Sequence, residues 1–214
     1  MELTPVYWIL LLFISRVAAG QSPGSLIVRP NRHQFFEYES VSLSCEVQGN
    51  TTGWRVVKNP AHGNLTQCGD VWGKLEGINC NIASTKSVDS GVYWCQSESG
   101  EHSNTVNITV TDAPVILEIP ILPVTEGHSV TLSCRHQETP SDLTADFYKD
   151  GSFIRTESTG EMTIPAVNKS DEGWYLCQHS KGNSPNSWMN VTVATPSTPT
   201  SLPPSVSPPP SLPP

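Results

Sequence analysis

The chain has 214 residues with 12 Lys and Arg against 20 Asp and Glu, a formal charge of −8. The acidic excess runs through both halves, six basic against nine acidic residues in 22–112 and five against ten in 113–194. No basic stripe is left to hold nucleic acid or an anionic membrane surface, and both are excluded as expected partners.

Residues 1–20 hold an apolar run from Val6 to Ile14 followed by the small residues Ala18, Ala19 and Gly20. This is the pattern of a secretory signal peptide cleaved near Gln21. The run is too short to cross a bilayer as a helix, and no later apolar stretch approaches the ~20 residues required. The expectation is a secreted product, or one held at the external side of the plasma membrane by a span outside this chain. In that oxidising compartment the six cysteines form a disulfide framework.

In 21–112, Val41, Leu43, Cys45 and Val47 alternate with Ser42, Ser44 and Glu46, the period of two that a half-buried strand needs. Trp54 follows where a facing strand would carry an indole over a bridge. Tyr93 and Cys95, then Val106, Ile108 and Val110, share an inward parity on two further strands. The same pattern returns in 113–194 with Val130, Leu132 and Cys134, then Phe147 in place of the expected Trp, then Met162 and Ile164, Tyr175 and Cys177, and Met189, Val191 and Val193.

One phrase closes each half: Asp89-Ser90-Gly91-Val92-Tyr93-Trp94-Cys95 and Asp171-Glu172-Gly173-Trp174-Tyr175-Leu176-Cys177. A Tyr two residues before a Cys points inward with it and returns its hydroxyl to backbone at the strand corner. Two tandem immunoglobulin-like β-sandwiches, an all-β chain, are therefore expected at 21–112 and 113–194. Six cysteines allow many connectivities. The repeat selects Cys45 with Cys95 and Cys134 with Cys177, which leaves Cys68 with Cys80, the latter sharing parity with Ile78 and Ile82. Closing each long loop should stabilise its domain by roughly 4 kcal/mol on the chain-entropy account.

Thr111-Asp112-Ala113-Pro114 joins the halves without a Gly/Ser linker, and Val115, Leu117 and Ile119 resume the alternation at once. The sandwiches are thus expected at a restricted angle. Residues 195–214 contain nine prolines, a composition that favours a polyproline II stalk, reaching roughly 60 Å at about 3.1 Å per residue. Five N-glycosylation sequons occur, at Asn50, Asn64, Asn107, Asn168 and Asn190. Asn107 and Asn190 fall on the outward parity of their strands.

No catalytic pattern stands out. The histidines at 33, 62, 102, 128, 136 and 179 lack Cys or carboxylate neighbours at metal-ligand spacing, and no nucleophile elbow or phosphate-cradling Gly loop is present. The expectation is a binding protein with no cofactor, metal or small-molecule substrate. Trp174 and Trp188 have a parity opposite to the core, so both indoles are expected to face outward on neighbouring strands, a residue type that concentrates binding energy. Trp94 is read as the matching outward site of the first half, and Trp72 as a plug between Cys68 and Cys80. The loops 136–144 and 180–187 are the other recognition surface expected of a sandwich end.

The second half resembles Fc receptors and Fc receptor-like proteins in three phrases: Glu126-Gly127-His128-Ser129-Val130-Thr131-Leu132-Ser133-Cys134, Phe147-Tyr148-Lys149-Asp150-Gly151 and Met162-Thr163-Ile164-Pro165. In the first half, Phe35-Phe36-Glu37-Tyr38-Glu39-Ser40-Val41, Thr52-Gly53-Trp54-Arg55-Val56 and the extra pair Cys68 and Cys80 resemble the teleost members, including the leukocyte immune-type receptors. The resemblance covers about residues 25–194. It implies an immune receptor ectodomain whose second domain meets immunoglobulin Fc, or another cell-surface or secreted protein, through 136–144, 149–155 and 180–187. Lys149, Phe153, Arg155 and Lys181 are the candidate contacts, beside Trp174 and Trp188. Mammalian IgG receptors clamp an Fc proline between two tryptophans, where this chain has Thr111 to Pro114 and Arg135-His136. The clamp is absent. A cell-adhesion protein of the same superfamily is the alternative.

Overall fold

The computed structural model describes residues 24–49, 51–60 and 63–193. The signal-peptide and stalk readings, and the sequon at Asn50, lie outside the described residues. No helix among the described residues is long and apolar enough to cross a membrane.

The first half contains β1 (Gly24–Arg29), β2 (Gln34–Phe36), β3 (Val41–Val47), β4 (Arg55–Pro60), β5 (Thr66–Gln67), β6 (Lys74–Glu76), β7 (Asn79–Ile82), β8 (Gly91–Gln96) and β9 (Val106–Thr111). One sheet runs β1-β3-β7-β6 and the other β2-β9-β8-β4-β5. The second half contains β10 (Val115–Glu118), β11 (Val124–Thr125), β12 (Val130–His136), β13 (Ala145–Lys149), β14 (Ser152–Glu157), β15 (Glu161–Ile164), β16 (Gly173–His179), β17 (Gly182–Asn183), β18 (Ser187–Met189) and β19 (Val191–Thr192). Its sheets run β10-β12-β15 and β14-β13-β16-β17, with β18 also on β16 and β19 parallel to β11.

The inward residues of facing sheets make two separate cores, one around Leu26, Leu43, Trp54, Val56 and Tyr93, the other around Leu117, Leu132, Phe147, Met162 and Tyr175. Cys45–Cys95 and Cys134–Cys177 join the sheets of their sandwiches with Cα–Cα separations of 5.8 and 5.9 Å, and Cys68–Cys80 is the third disulfide. Tyr93 donates its hydroxyl to the Asp89 carbonyl, and Tyr175 to that of Asp171 at 2.7 Å. Burial pushes both phenols above their ordinary range. Close approach of backbone requires Gly91, where a Cβ would lie 2.7 Å from the Asn59 carbonyl, while one at Gly173 would meet the Asp150 carboxylate at 2.7 Å and displace it.

Three expectations need correction. Val193 is exposed, because it follows the last strand residue, Thr192. Phe147 does not stand in for Trp54: Phe147 pairs with Cys177 as Val56 pairs with Cys95, so the counterpart of Trp54, two residues upstream, is Ala145. By the same register Trp94 corresponds to Leu176 and Val92 to Trp174, so Trp94 lies two residues along the strand from the site matching Trp174. Trp72 does plug its segment, edge-on to Tyr93 at 5.3 Å with its indole N–H on Thr66 Oγ1 at 3.0 Å.

The two sandwiches meet over β2 and β10. Gln34, fully buried, donates to the Pro185 carbonyl at 2.7 Å and Ser187 Oγ at 2.8 Å and accepts from the Leu117 N–H at 2.8 Å. Arg32 and Arg135 bridge Glu39 and Glu118, at 2.9 and 2.6 Å for Arg32 and 2.6 and 3.5 Å for Arg135. Phe36 and Ile116 are buried although neither belongs to a core cluster, and the Arg135 guanidinium lies over the Phe36 ring.

Candidate functional site

The β13–β14 hairpin turns on Asp150-Gly151, with φ of +49° and +78°. Two successive positive φ values give the type I′ turn that matches strand twist, and Asp-Gly is the pair that tolerates it. Asp150 also ties the turn to the neighbouring strand: its carboxylate accepts from the Trp174 N–H at 2.9 Å and from Lys149 Nζ at 2.9 Å. The Lys149 contact, then the Trp174 N–H, holds this carboxyl below the usual carboxylate range.

β14 is an edge strand, and five of its six residues are exposed. Its pairing sorts the side chains. Phe153 lies opposite Tyr148, ring centroids 5.7 Å apart, on the outer face of the sheet. Trp174 lies opposite Trp188 on the same outer face, centroids 5.3 Å apart and nearly perpendicular. Phe153, Trp174 and Trp188 keep 57%, 49% and 40% of their surface exposed. The outer face of β14, β13, β16 and β18 is thus an aromatic one, a kind of surface that marks an interaction site when contiguous.

Lys149 and Arg155 turn the other way, into a groove of about 260 Å³ between β14 and β15 lined also by Ile154, Ile164 and Tyr175. Each cation has a carboxylate beside it, Asp150 for Lys149 and Glu157 for Arg155 at 2.9 Å, and Arg155 also donates to the Thr163 carbonyl at 2.7 Å. The groove is therefore largely apolar, with its two cations partly neutralised at its rim. Lys58 holds the register of Lys149 in the first half, opposite Tyr93 as Lys149 is opposite Tyr175. Lys58 is buried, donating to the Val88 carbonyl at 2.6 Å with Asp89 at 3.7 Å, whereas the Lys149 side chain keeps 26% of its surface.

Lys181 is not part of this group. It follows β16 at the end where that strand finishes, while Lys149 pairs near its start. The 136–144 and 180–187 loops are joined to each other, His179 Nε2 lying 2.9 Å from the Asp142 carbonyl and the His136 and His179 rings 4.3 Å apart. The far end of 180–187 is occupied: Ser184 and Ser187 are buried and Gln34 of the first sandwich binds Pro185 and Ser187. At the place of the second clamp tryptophan, Arg135 is engaged with Glu39 and Glu118.

Asn64, Asn107, Asn168 and Asn190 are all exposed. Asn168 caps a 3-10 turn, its carboxamide oxygen accepting from the Ser170 N–H at 2.9 Å. The sequence places Tyr148 and Asp150 in the phrase 147–151 and Ile154 in the segment 149–155 without singling them out as site residues. The Asp-Gly pair and the outward parity of Tyr148 beside inward Phe147 were the signals available.

Residues 113–180 match the immunoglobulin-domain family model. Fc receptor-like protein 5 of Mus musculus is 31% identical over 181 residues, covering 81% of this chain and 29% of that protein. The low affinity immunoglobulin gamma Fc region receptor III-A of Felis catus is 25% identical over 217 residues, 94% of this chain and 80% of the receptor. Protein turtle of Drosophila melanogaster is 26% identical over 160 residues, 67% of this chain and 10% of that protein. The chain thus spans less than a third of two of these three relatives, 29% and 10% of their lengths. Residues 113–180 are thus similar to an immunoglobulin domain, and the two tandem sandwiches are similar over most of their length to Fc receptor-like protein 5.

Proposed function

We propose that the chain is the extracellular part of an immune receptor, secreted or on the external side of the plasma membrane, that binds immunoglobulin Fc through the β13–β14 edge of its second sandwich. The first sandwich, with its additional Cys68–Cys80 bridge, is of the teleost leukocyte immune-type kind. The observation that carries the binding reading is the exposed β13–β14 edge, which sets Phe153 on one face and Lys149 of β13 and Arg155 of β14 in one groove on the other. Similarity to an Fc region receptor over 94% of this chain supports Fc as the ligand. The residues at the clamp position argue for a different grip from that of IgG receptors, since Arg135 is held by Glu39 and Glu118.

Surface plasmon resonance of the purified two-sandwich protein against serum immunoglobulin tests the reading. A Lys149→Ala/Arg155→Ala double variant is expected to lose binding at physiological salt, and Trp94→Ala to keep it. Because exposed charges act mainly on association, the wild-type on-rate should fall with added salt. A partner other than Fc, as in an adhesion protein, is the second reading, favoured by the outer-face aromatics. Wild-type protein that fails to bind immunoglobulin would transfer the assignment to it.

A further inference from the structure

Trp174 and Trp188 form an exposed aromatic pair on the outer face of the second sandwich, and the chain carries its own occupant for it. Asn190-Val191-Thr192 is a sequon. From Ser187 to Thr192 the residues alternate strictly between buried and exposed, with Trp188, Asn190 and Thr192 exposed. Successive side chains on extended backbone point to opposite faces, so Asn190 projects on the same side as Trp188, about 6.6 Å further along the chain. Its backbone is fixed, the Asn190 carbonyl accepting from the Val124 N–H at 2.9 Å and the Val191 N–H bonding to Glu172 Oε2 at 2.9 Å. The Asn190 carboxamide has no hydrogen-bond partner among the described residues, in contrast to Asn168, whose carboxamide oxygen caps a turn.

We infer that an N-linked glycan on Asn190 lies over the Trp174–Trp188 pair, its first N-acetylglucosamine packing its C–H face on the indoles. Aromatic faces are electron-rich and apolar, and a pyranose ring presents polarised C–H groups to them while its hydroxyls stay in water. The arrangement covers an apolar patch that would otherwise be exposed on a secreted protein. It also removes the Trp pair from the ligand surface and leaves Phe153, Lys149 and Arg155 as contacts. The inference rests on the extracellular reading above, because only a secretory product meets the glycosylation machinery, and it leaves an adhesion partner only Tyr148 and Phe153 of the outer-face aromatics.

The test uses protein secreted from vertebrate cells. Glycopeptide mass spectrometry is expected to find Asn190 occupied. Tryptophan fluorescence should be more strongly quenched by acrylamide in Asn190→Gln, and in wild-type protein stripped of glycans enzymatically in its native state, than in untreated wild type. In a Trp174→Phe/Trp188→Phe background both increments should vanish. An unoccupied Asn190 beside occupied Asn64, Asn107 or Asn168 overturns the inference alone, as does unchanged quenching on loss of an Asn190 glycan. A chain bare at every sequon overturns the extracellular reading as well.

Discussion

Trp54 and Ala145 hold the same register in their sandwiches, and the loss of an indole between them is felt at both. Trp54 is 8% exposed and closes the first core where Gly24 approaches its ring, an added Cβ there lying 3.3 Å from it. Truncating it removes a large buried surface and leaves a cavity. Trp54→Ala should therefore cost about 3–5 kcal/mol. Trp174 lies on the outer face, about half exposed and edge-on against Trp188, so Trp174→Ala should change stability by about 1 kcal/mol or less. Denaturant midpoints of the two variants check this, and equal losses would contradict the parity on which the outer face is built.

At the scale of elements, the loop end of the second sandwich buries His179, with His136 edge-on against it. Both ring nitrogens of His136 are buried with no hydrogen-bond partner among the described residues. Burial, with His179 and Lys181 as neighbours, lowers the His136 pKa, so the folded protein resists protonating this ring. The sign follows from linkage. Above the ordinary imidazole value, about 6.5, neither state is protonated and there is no cost. Below it the unfolded chain takes up a proton that the folded chain resists, and stability is lost. His33, lowered mainly by burial, acts in the same direction. The melting temperature is expected to drop between pH 7.5 and 5.5, and by less in His136→Phe, which keeps a ring but cannot titrate. A variant with the full wild-type drop would remove His136 from the account.

The molecule is held as one piece by groups that belong to neither core. Gln34 reaches from the first sandwich and uses both ends of its amide on the second, and Arg32, Glu39, Glu118 and Arg135 close a four-member charge network across the junction. Gln34→Ala strands the Leu117 N–H and the Ser187 hydroxyl in a buried place, which should cost about 1–3 kcal/mol. The released junction should also become susceptible to proteolysis near Asp112. Calorimetry and timed proteolysis read the two effects, and an unchanged cleavage rate would mean that the charge network alone fixes the angle.

The sequence by itself determined the all-β class, the repeat and the facing cysteines, because a period of two and a Tyr-x-Cys corner are local properties that any register must respect. The outward parity of Trp174 and Trp188 followed for the same reason. Only the tertiary structure decided what depends on which strand pairs with which and at what offset. That offset aligned Trp54 with Ala145 instead of Phe147, put Lys181 at the opposite end of the sheet from Lys149, and turned Lys149 and Arg155 into a groove while Phe153 faced out. It also committed Arg135 and Gln34 to the junction. Parity is set by the residue itself, whereas register is set by the partner strand and interdomain contact by residues of the other sandwich, 83 to 153 residues away for Gln34, which local patterning does not encode.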